Sequence, residues 1–261
     1  MNILEQIVAT KRIEVAKAKE LVSIAGLEKR GYFARSCHSL GMSLIQPAST
    51  GIIAEFKRKS PSKGVINDRL GVDEVTKGYV AAGAACLSVL TDEVYFGGTA
   101  ADFDLARRTN PNTPMLRKDF MVDEYQIVEA KSMGADVVLL IAAALSPKEI
   151  EVLGTLARSL GMETLLEVHD EEELDRSLGD YISVVGVNNR NLKNFAEQNV
   201  EASKRLSEKI PARFVKVSES CISGPEVIKD LKSYGYRGFL IGESFMKTDN
   251  PGEALASFLN Q

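Results

Sequence analysis

The stretch Ile52–Gly64, with the sequence IIAEFKRKSPSKG, decides how the rest of the chain is interpreted. It begins with β-branched and small residues after a turn-prone segment, a pattern that predicts a buried strand. Glu55 and Lys57 follow two residues apart, and they share one face because side chains alternate along a strand. Pro61 and Gly64 favour a loop, since proline lacks an amide donor and glycine favours a turn. The stretch therefore places an acid and a base side by side where a loop opens.

Taken alone, Glu55 and Lys57 fit a solvent-facing ladder better than a functional pair, because charged residues usually face water. The rest of the chain favours a functional pair, since similar groups recur after other strands. The series of predicted strands in the rest of the chain is the first observation in favour of such a pair.

The composition describes a folded protein that does not bind nucleic acid. The chain has 261 residues, of which 44% are hydrophobic and 26% charged, enough for one large α/β barrel or two ordinary domains. Its net charge is −4 and it has no basic arm, which argues against nucleic-acid binding. We find no apolar run of membrane-spanning length and no secretory signal, and the three cysteines form neither a metal-ligand spacing nor a disulfide framework. We expect a cytoplasmic protein with no membrane partner.

Eight short apolar segments, separated by segments with helical periodicity, predict an all-parallel sheet with both faces covered. The predicted strands are Gly51–Ala54, Cys86–Leu90, Pro114–Leu116, Asp136–Ile141, Thr164–Val168, Ser183–Val187, Phe214–Val217 and Gly238–Ile241. Their number and spacing predict a (β/α)8 TIM barrel. A doubly wound open sheet is the alternative, but the segment after its first strand, KRKSPSKG, lacks the G-x-G-x-x-G pattern of a dinucleotide site.

Residues 1–46 precede any strand, and we interpret them as a helical extension that caps the barrel within a single domain, 1–261. An independent partner-binding helix is the alternative. Residues 2–22 predict an amphipathic helix, with Lys11, Arg12, Lys17 and Lys19 largely outside an apolar stripe of Ile3, Leu4, Ile7, Val8, Val15 and Leu21.

Ionisable residues lie at the ends of six of the eight predicted strands, where the active site of such a barrel lies. They are Glu55 and Lys57, Arg117–Asp119, Glu167, Arg190 with the preceding Asn188 and Asn189, Glu219 between two serines, and Glu243 between a glycine and a serine. Ammonium and carboxylate groups that converge in a partly dry cavity perturb one another's pKa, as acid–base catalysis requires. Apolar residues available to wall such a cavity are Phe96, Phe120, Leu139, Ile141 and Leu192.

The loops after the last two strands predict a phosphate site, because backbone amides and glycine there let an anion approach closely. They read Ser220–Gly224 and Gly242–Ser244. No His, Cys or Asp cluster indicates a metal. We expect His169 to be a surface imidazole, and Cys221 lacks the nearby histidine that a nucleophile needs.

Seven motifs in order resemble the indole-3-glycerol-phosphate synthase family of tryptophan biosynthesis. They are IIAEFKRKSPSKG, LSVLTDEVYFGG, PMLRKDFMVDEYQI, LLEVH, VGVNNRNL, VSESCISG and LIGESFM. The resemblance implies a cofactor-free, metal-free ring closure of 1-(2-carboxyphenylamino)-1-deoxyribulose 5-phosphate to indole-3-glycerol phosphate, carbon dioxide and water. It implies a carboxy-lyase, and we expect a monomer that binds a phosphorylated small molecule.

The resemblance also implies residue roles. Lys118 matches a general acid and Glu167 a general base, while Lys57 binds a substrate anion and is a second candidate acid. Glu55 and Asn188 orient these groups, and Ser220, with the backbone of Gly242 and Glu243, completes the catalytic and phosphate-binding set. The substrate pocket is implied to include Ser60, Pro61, Phe96, Phe120, Arg190 and Cys221.

One residue departs from the family pattern. Cys221 stands where the family usually has glycine, so a left-handed backbone there would carry a strain of roughly 1 kcal/mol. Two other classes stay open at this point. One is another phosphate-binding barrel, such as a sugar-phosphate isomerase or a phosphoribosylanthranilate isomerase. The latter normally pairs a catalytic cysteine at the end of its first strand with an aspartate, whereas the first strand here ends in Glu55 and Lys57. The other is a catalytically silent binding barrel.

Overall fold

A computed structural model describes residues 2–190 and 199–260. Eight parallel strands close into a barrel in the order β1-β10-β9-β8-β7-β6-β5-β4, which confirms the predicted TIM barrel. The strands are β1 Ile52–Phe56, β4 Cys86–Leu90, β5 Met115–Lys118, β6 Val137–Ile141, β7 Glu163–Val168, β8 Val184–Asn188, β9 Val215–Glu219 and β10 Tyr236–Ile241, and a small antiparallel hairpin joins β2 Lys59–Ser60 to β3 Gly64–Val65.

Helices surround the barrel and cover both of its ends. They are α1 Ile3–Leu21, α2 Ile24–Glu28, α3 Leu40–Ile45, α4 Val72–Ala81, α5 Glu93–Phe96, α6 Ala100–Thr109, α7 Glu124–Ser132, α8 Pro147–Ser159, α9 Glu171–Ser177, α10 Glu201–Leu206, α11 Pro225–Ser233, α12 Glu243–Met246 and α13 Pro251–Leu259. Proline begins α8, α11 and α13, where a missing amide donor costs nothing.

Three strands extend two residues past their predicted carboxyl ends, and their extra residues include charged groups that face the barrel mouth. β1 continues to Phe56, β5 to Lys118 and β9 to Glu219. Periodicity missed these ends because charged residues interrupt the apolar runs. Since strand backbone is held by both neighbours, Glu55, Lys118 and Glu219 project in fixed directions.

The barrel interior changes from apolar to charged along the strand direction. Ile53, Leu116, Leu165 and Val217 form one buried interior layer. Two residues further along the same strands stand Glu55, Lys118, Glu167 and Glu219, which face the same way because the side-chain period is two. The charged layer therefore lies at the carboxyl ends of the strands, above a dry floor.

The N-terminal extension packs on both ends of the barrel. Leu40 and Leu44 of α3 are buried against the apolar interior layer, and the Ser43 hydroxyl donates to the Ala85 carbonyl before β4. α1 lies over the opposite end, where the Thr10 and Tyr95 hydroxyls are 3.0 Å apart. Deleting the whole extension would therefore uncover both ends of the barrel, because it would remove α3 from one end and α1 from the other.

The predicted stripe on α1 was wrong at two positions. Lys11, predicted to lie outside it, is only 4% exposed and occupies the buried face between Ile7 and Val15, while Leu21 is 83% exposed. Lys11 is buried because carboxylates from two barrel loops meet its ammonium group. Leu21 is the last residue of α1 and extends past the barrel surface.

Candidate active site

Glu55 and Lys57 form an ion pair inside the barrel mouth and not a solvent-facing ladder. Lys57 Nζ donates to Glu55 Oε1 at 2.9 Å, and the Ser88 hydroxyl donates to Glu55 Oε2 at 3.3 Å. Burial would raise the pKa of Glu55, but Lys57 and Lys118 outweigh it and lower that pKa overall. Glu55 is therefore held as a carboxylate.

Lys118 is the centre of the charged layer. Its Nζ donates to Glu167 Oε2 at 2.8 Å and to Glu219 Oε2 at 2.7 Å. Burial alone would lower the pKa of Lys118, but Glu167, Glu219 and Glu55 raise it overall. The side chain is consequently a charged proton donor at neutral pH.

The two carboxylates on Lys118 differ in their proton affinity. Burial acts to raise both pKa values, but Lys118, His169 and the Asn188 amide, which donates to Glu167 Oε1 at 3.1 Å, lower the pKa of Glu167. Burial and the neighbouring Glu167 and Glu55 charges raise the pKa of Glu219. Such a separation of pKa values between paired carboxylates is typical of sites that move protons.

Glu219 belongs to this site although the sequence assigned it no role. It is 1% exposed, and a Cβ at Gly186 would lie 2.2 Å from its Oε1, so glycine on the neighbouring strand makes room for it. The sequence could have indicated this, because Glu219 lies two residues after the interior Val217 and alternate residues of a strand face the same side.

His169 was predicted to be a surface imidazole, and the structure contradicts this. Its side chain is 17% exposed and lines the cavity, with Nδ1 3.1 Å from Glu173 Oε2 and Nε2 3.8 Å from Glu167 Oε1. Burial lowers its pKa, but Glu173 and Glu167 raise it overall. His169 continues the inward alternation of Leu165 and Glu167, which periodicity alone did not reveal past the strand end.

One lobe of the cavity is apolar and roofed by α1. Ile3, Leu4 and Ile7 face it from above. The Phe96 and Phe120 rings, with centroids 5.9 Å apart, line it together with Leu139, Ile141, Ser60 and Pro61. Leu192, also predicted here, lies outside the described residues. This lobe suits a planar aromatic group.

The second lobe is polar and is bounded by the loops after β9 and β10. Ser220, Cys221, Ser223, Gly242, Glu243 and Ser244 line it with Lys57 and Arg190. A Cβ at Gly242 would lie 2.8 Å from Glu55 Oε1, so only glycine fits there. Arg190 reaches Ser62 and Glu243, and therefore spans the lobe.

Cys221, which stands where the family usually has glycine, adopts a left-handed and therefore strained backbone conformation. Its φ is 59°, and that of Ser220 is 67°, both in the left-handed region. The loop keeps this conformation despite a Cβ cost of roughly 1 kcal/mol per residue.

The fold and this site together define a class: a (β/α)8-barrel enzyme with an acid–base cluster between an apolar lobe and an anion-sized polar lobe. A family model described as indole-3-glycerol phosphate synthase matches residues 4–258. The chain therefore belongs to the indole-3-glycerol phosphate synthase family and is an enzyme of tryptophan biosynthesis.

Curated relatives agree over nearly full length. The indole-3-glycerol phosphate synthase of Bacteroides thetaiotaomicron is 48% identical, with 99% of this chain and 98% of the relative aligned. That of Bordetella pertussis is 41% identical, with 98% of each chain aligned. Identical residues over this length support the family assignment independently of the fold.

Solved structures that resemble this chain share its fold only. A KGPDC structure from Streptococcus mutans has a TM-score of 0.61 at 11% identity, covering 80% of this chain and 95% of that one. A 3-hexulose-6-phosphate synthase structure has a TM-score of 0.61 at 12% identity, covering 80% and 98%. Within residues 2–190 and 199–260, no helix has the length and apolarity to cross a bilayer, and no group of three or more His, Cys, Asp or Glu is arranged to hold a metal.

Glu219→Gln should stabilise the protein while impairing its site. Because folding raises the pKa of Glu219, the folded state binds more protons than the unfolded state, and stability falls as pH rises from about 4.3 through the raised pKa. Glutamine removes this loss, so we expect a melting temperature about 2–4 °C higher at pH 8 for a gain on the order of 1 kcal/mol, with a smaller difference at pH 5. Calorimetry checks this, with exposed Glu151→Gln as control. A lower melting temperature at pH 8 would contradict the pKa direction.

Proposed function

We propose that the protein is a carboxy-lyase that closes the indole ring of 1-(2-carboxyphenylamino)-1-deoxyribulose 5-phosphate, releasing indole-3-glycerol phosphate, carbon dioxide and water. The observation that carries this is the position of Lys118, clamped between Glu167 and Glu219 where the apolar and polar lobes meet. A substrate with an aromatic ring at one end and a phosphate at the other would place its ketone beside that ammonium group.

The charges of the site match those of the substrate. Carboxylate and phosphate together carry about three negative charges near neutral pH. Lys57 and Lys118 line the apolar lobe with Arg190, and Lys57 and Arg190 also line the polar lobe. Preorganised cations in a water-poor cavity act on developing charge without reorganisation.

The proposed steps balance in atoms and charge. The ring carbon that bears the carboxylate attacks the ketone carbon while Lys118 protonates the ketone oxygen. The bond to the carboxylate then breaks and carbon dioxide leaves, with its electron pair retained by the ring system. Glu167 as base then removes a proton from the methylene carbon beside the nitrogen, and the new hydroxyl leaves as water with a proton supplied by a lysine ammonium group of the site, which completes the indole. Since a carboxylate leaves as neutral carbon dioxide, each turnover takes up one proton.

The remaining residues have supporting roles in this proposal. Lys57 is held by Glu55 and serves as an anion ligand and as the second candidate acid. Asn188 orients Glu167 by its amide, and Ser220 with the backbone of Gly242 and Glu243 binds phosphate. We further infer a cytoplasmic, monomeric protein, consistent with its three free cysteines.

The test is to supply this substrate to protein treated with a chelator and to follow indole fluorescence. The proposal expects a product signal proportional to enzyme, without added metal or organic cofactor. Conversion of the substrate to a sugar isomer without indole formation would contradict it.

Inorganic phosphate and sulfate should compete with the substrate, because each offers the same oxygens to the amides and cations of the polar lobe. Steady-state inhibition measurements check this. Noncompetitive phosphate inhibition would contradict the assigned lobe.

The Cys221→Gly variant should have unchanged or higher turnover, since glycine adopts a φ of 59° without Cβ strain. Steady-state turnover measurements check this. A large loss of turnover in Cys221→Gly would reveal a role for the thiol.

A further inference from the structure

Lys11 is buried on α1 and has a carboxylate partner on two barrel loops. Its Nζ is 3.0 Å from Asp92 Oδ2, 3.0 Å from Asp119 Oδ1 and 2.7 Å from Glu14 Oε2. Asp92 and Asp119 are 0% and 2% exposed, so these contacts are shielded from water. Such burial makes each contact stronger than a surface ion pair, and the loss of one partner costlier.

Two other cationic residues of α1, Arg12 and Lys19, make exposed pairs. Arg12 reaches Glu149 at 3.3 Å and Lys19 reaches Asp123 at 2.7 Å, with both cations about half exposed. Surface pairs of this kind contribute little to stability. Lys19 is therefore a matched comparison for Lys11 on the same helix.

Each aspartate that meets Lys11 also fixes the backbone of an aromatic wall. Asp92 Oδ1 caps α5 by accepting from the amides of Tyr95 at 2.7 Å and Phe96 at 3.2 Å. Asp119 Oδ1 accepts from the Phe120 amide at 2.8 Å. One ammonium group thus joins the segments that carry both rings of the apolar lobe.

Asp119 is itself held in place by further groups. Its Oδ2 accepts from the Thr91 hydroxyl at 2.6 Å and lies 3.3 Å from Arg117 Nη2. Because Asp119 directly follows Lys118, the carboxylates that bind Lys11 adjoin the strand end that is proposed to be catalytic.

On the helix side, Lys11 is aligned with the roof of the same lobe. Ile7 lies one helical turn before it and Ile3 two turns before it, at the four-residue spacing that places side chains on one face. Ile3 and Ile7 line the apolar lobe, and α1 contributes nothing to the polar lobe within the described residues.

We propose that Lys11 is a positioning residue for the aromatic ring of the substrate: it pins the α1 roof to the Phe96 and Phe120 walls. The assignment rests on the proposed function, because it takes the apolar lobe as the aromatic subsite. This role predicts different effects on the two lobes: loss of Lys11 weakens binding of the aromatic group and leaves phosphate binding unchanged. Loss of a lysine with a purely structural role would affect binding in both lobes alike.

The experiment measures binding, not turnover, with two probes: the substrate with its ketone reduced to an alcohol, and inorganic phosphate. Lys11→Met should raise the dissociation constant of the reduced analogue at least about 10-fold, a loss of about 1.4 kcal/mol, and change that of phosphate less than about twofold. Lys19→Met should change neither. Lys11→Arg, which keeps the charge, should recover part of the affinity.

Lys11→Met takes the ammonium partner away from two buried carboxylates, so a second variant guards against misfolding. Lys11→Met/Asp92→Asn removes one charge of each sign and keeps the oxygen that caps α5, and the same split between probes is expected. Equal weakening of both probes, or no weakening of either, overturns the assignment alone. Wild-type protein that binds phosphate but not the analogue overturns the proposed function and this assignment with it.

Discussion

Lys118→Met is expected to lower turnover at least about 10²-fold, because methionine keeps the length of the side chain and removes its proton. Lys118 is the ammonium group that contacts both Glu167 and Glu219, and its raised pKa keeps it charged at neutral pH. The substrate should remain bound through its phosphate and carboxylate, so the loss falls on turnover more than on the Michaelis constant.

Two comparisons make the Lys118 result specific. Lys148→Met, at an exposed lysine whose ion-pair partner is Glu151, should leave turnover unchanged. Lys57→Met tests the second candidate acid. If Lys118→Met keeps more than about a tenth of wild-type turnover, well short of an acid's usual contribution, Lys57 becomes the general acid.

Glu167→Gln is expected to cost a similar factor, about 10²–10⁴-fold in turnover, since glutamine keeps the shape and removes the basic oxygen. The amide cannot accept a proton from the intermediate, and its nitrogen is a poor neighbour for Lys118, 2.8 Å from the present oxygen. Substrate affinity should change little. The measurement is single-turnover kinetics, which separate binding from chemistry.

The pH profile distinguishes Glu167 from Glu219 as the base. Glu167 has a lowered pKa and stays ionised through the neutral range, whereas the raised pKa of Glu219 places its protonation closer to neutrality. An acid limb of the turnover profile that persists in Glu167→Gln and vanishes in Glu219→Gln would belong to Glu219. Near wild-type turnover in Glu167→Gln would remove Glu167 from the base role.

The catalytic cluster also explains why this site is costly to fold. Within the charged layer, Glu55, Glu167 and Glu219 share the ammonium groups of Lys57 and Lys118, and Lys118 contacts both Glu167 and Glu219. Burial, together with the Glu167 and Glu55 charges, raises the pKa of Glu219. Function and stability therefore oppose each other at Glu219, as they often do at active sites.

Most of the fold and much of the site follow from local pattern. The strand order required only short apolar segments at regular spacing, and Glu55, Lys118 and Glu167 followed from the rule that barrel sites lie at strand ends. The apolar and polar lobes contain the residues that the motifs indicated, apart from Leu192, which lies outside the described residues.

The failures occurred where residues of another structural element set the environment. Lys11 looked solvent-exposed because its partners, Asp92 and Asp119, lie some 80 to 110 positions away along the chain. His169 looked exposed because it follows the end of β7, yet Glu173 from the next helix holds it inward. No periodicity reports such partners, since a charged residue is buried only when tertiary contacts compensate its charge.

The dual packing of the extension limits what deletions can reveal. Residues of α2 and α3, such as Leu27 and Leu40, are fully buried, so removing the extension would expose core as well as open the roof. Point changes on α1 isolate the roof, and Lys11 is the position where roof and walls meet.

The most direct test of the central claim uses substrate labelled with ¹³C at its carboxylate and counts products in one reaction. Ring closure by this site predicts one labelled carbon dioxide and one indole product per substrate consumed, with one proton taken up from the medium. Labelled carbon dioxide without indole, or indole product that retains the label, would contradict the account.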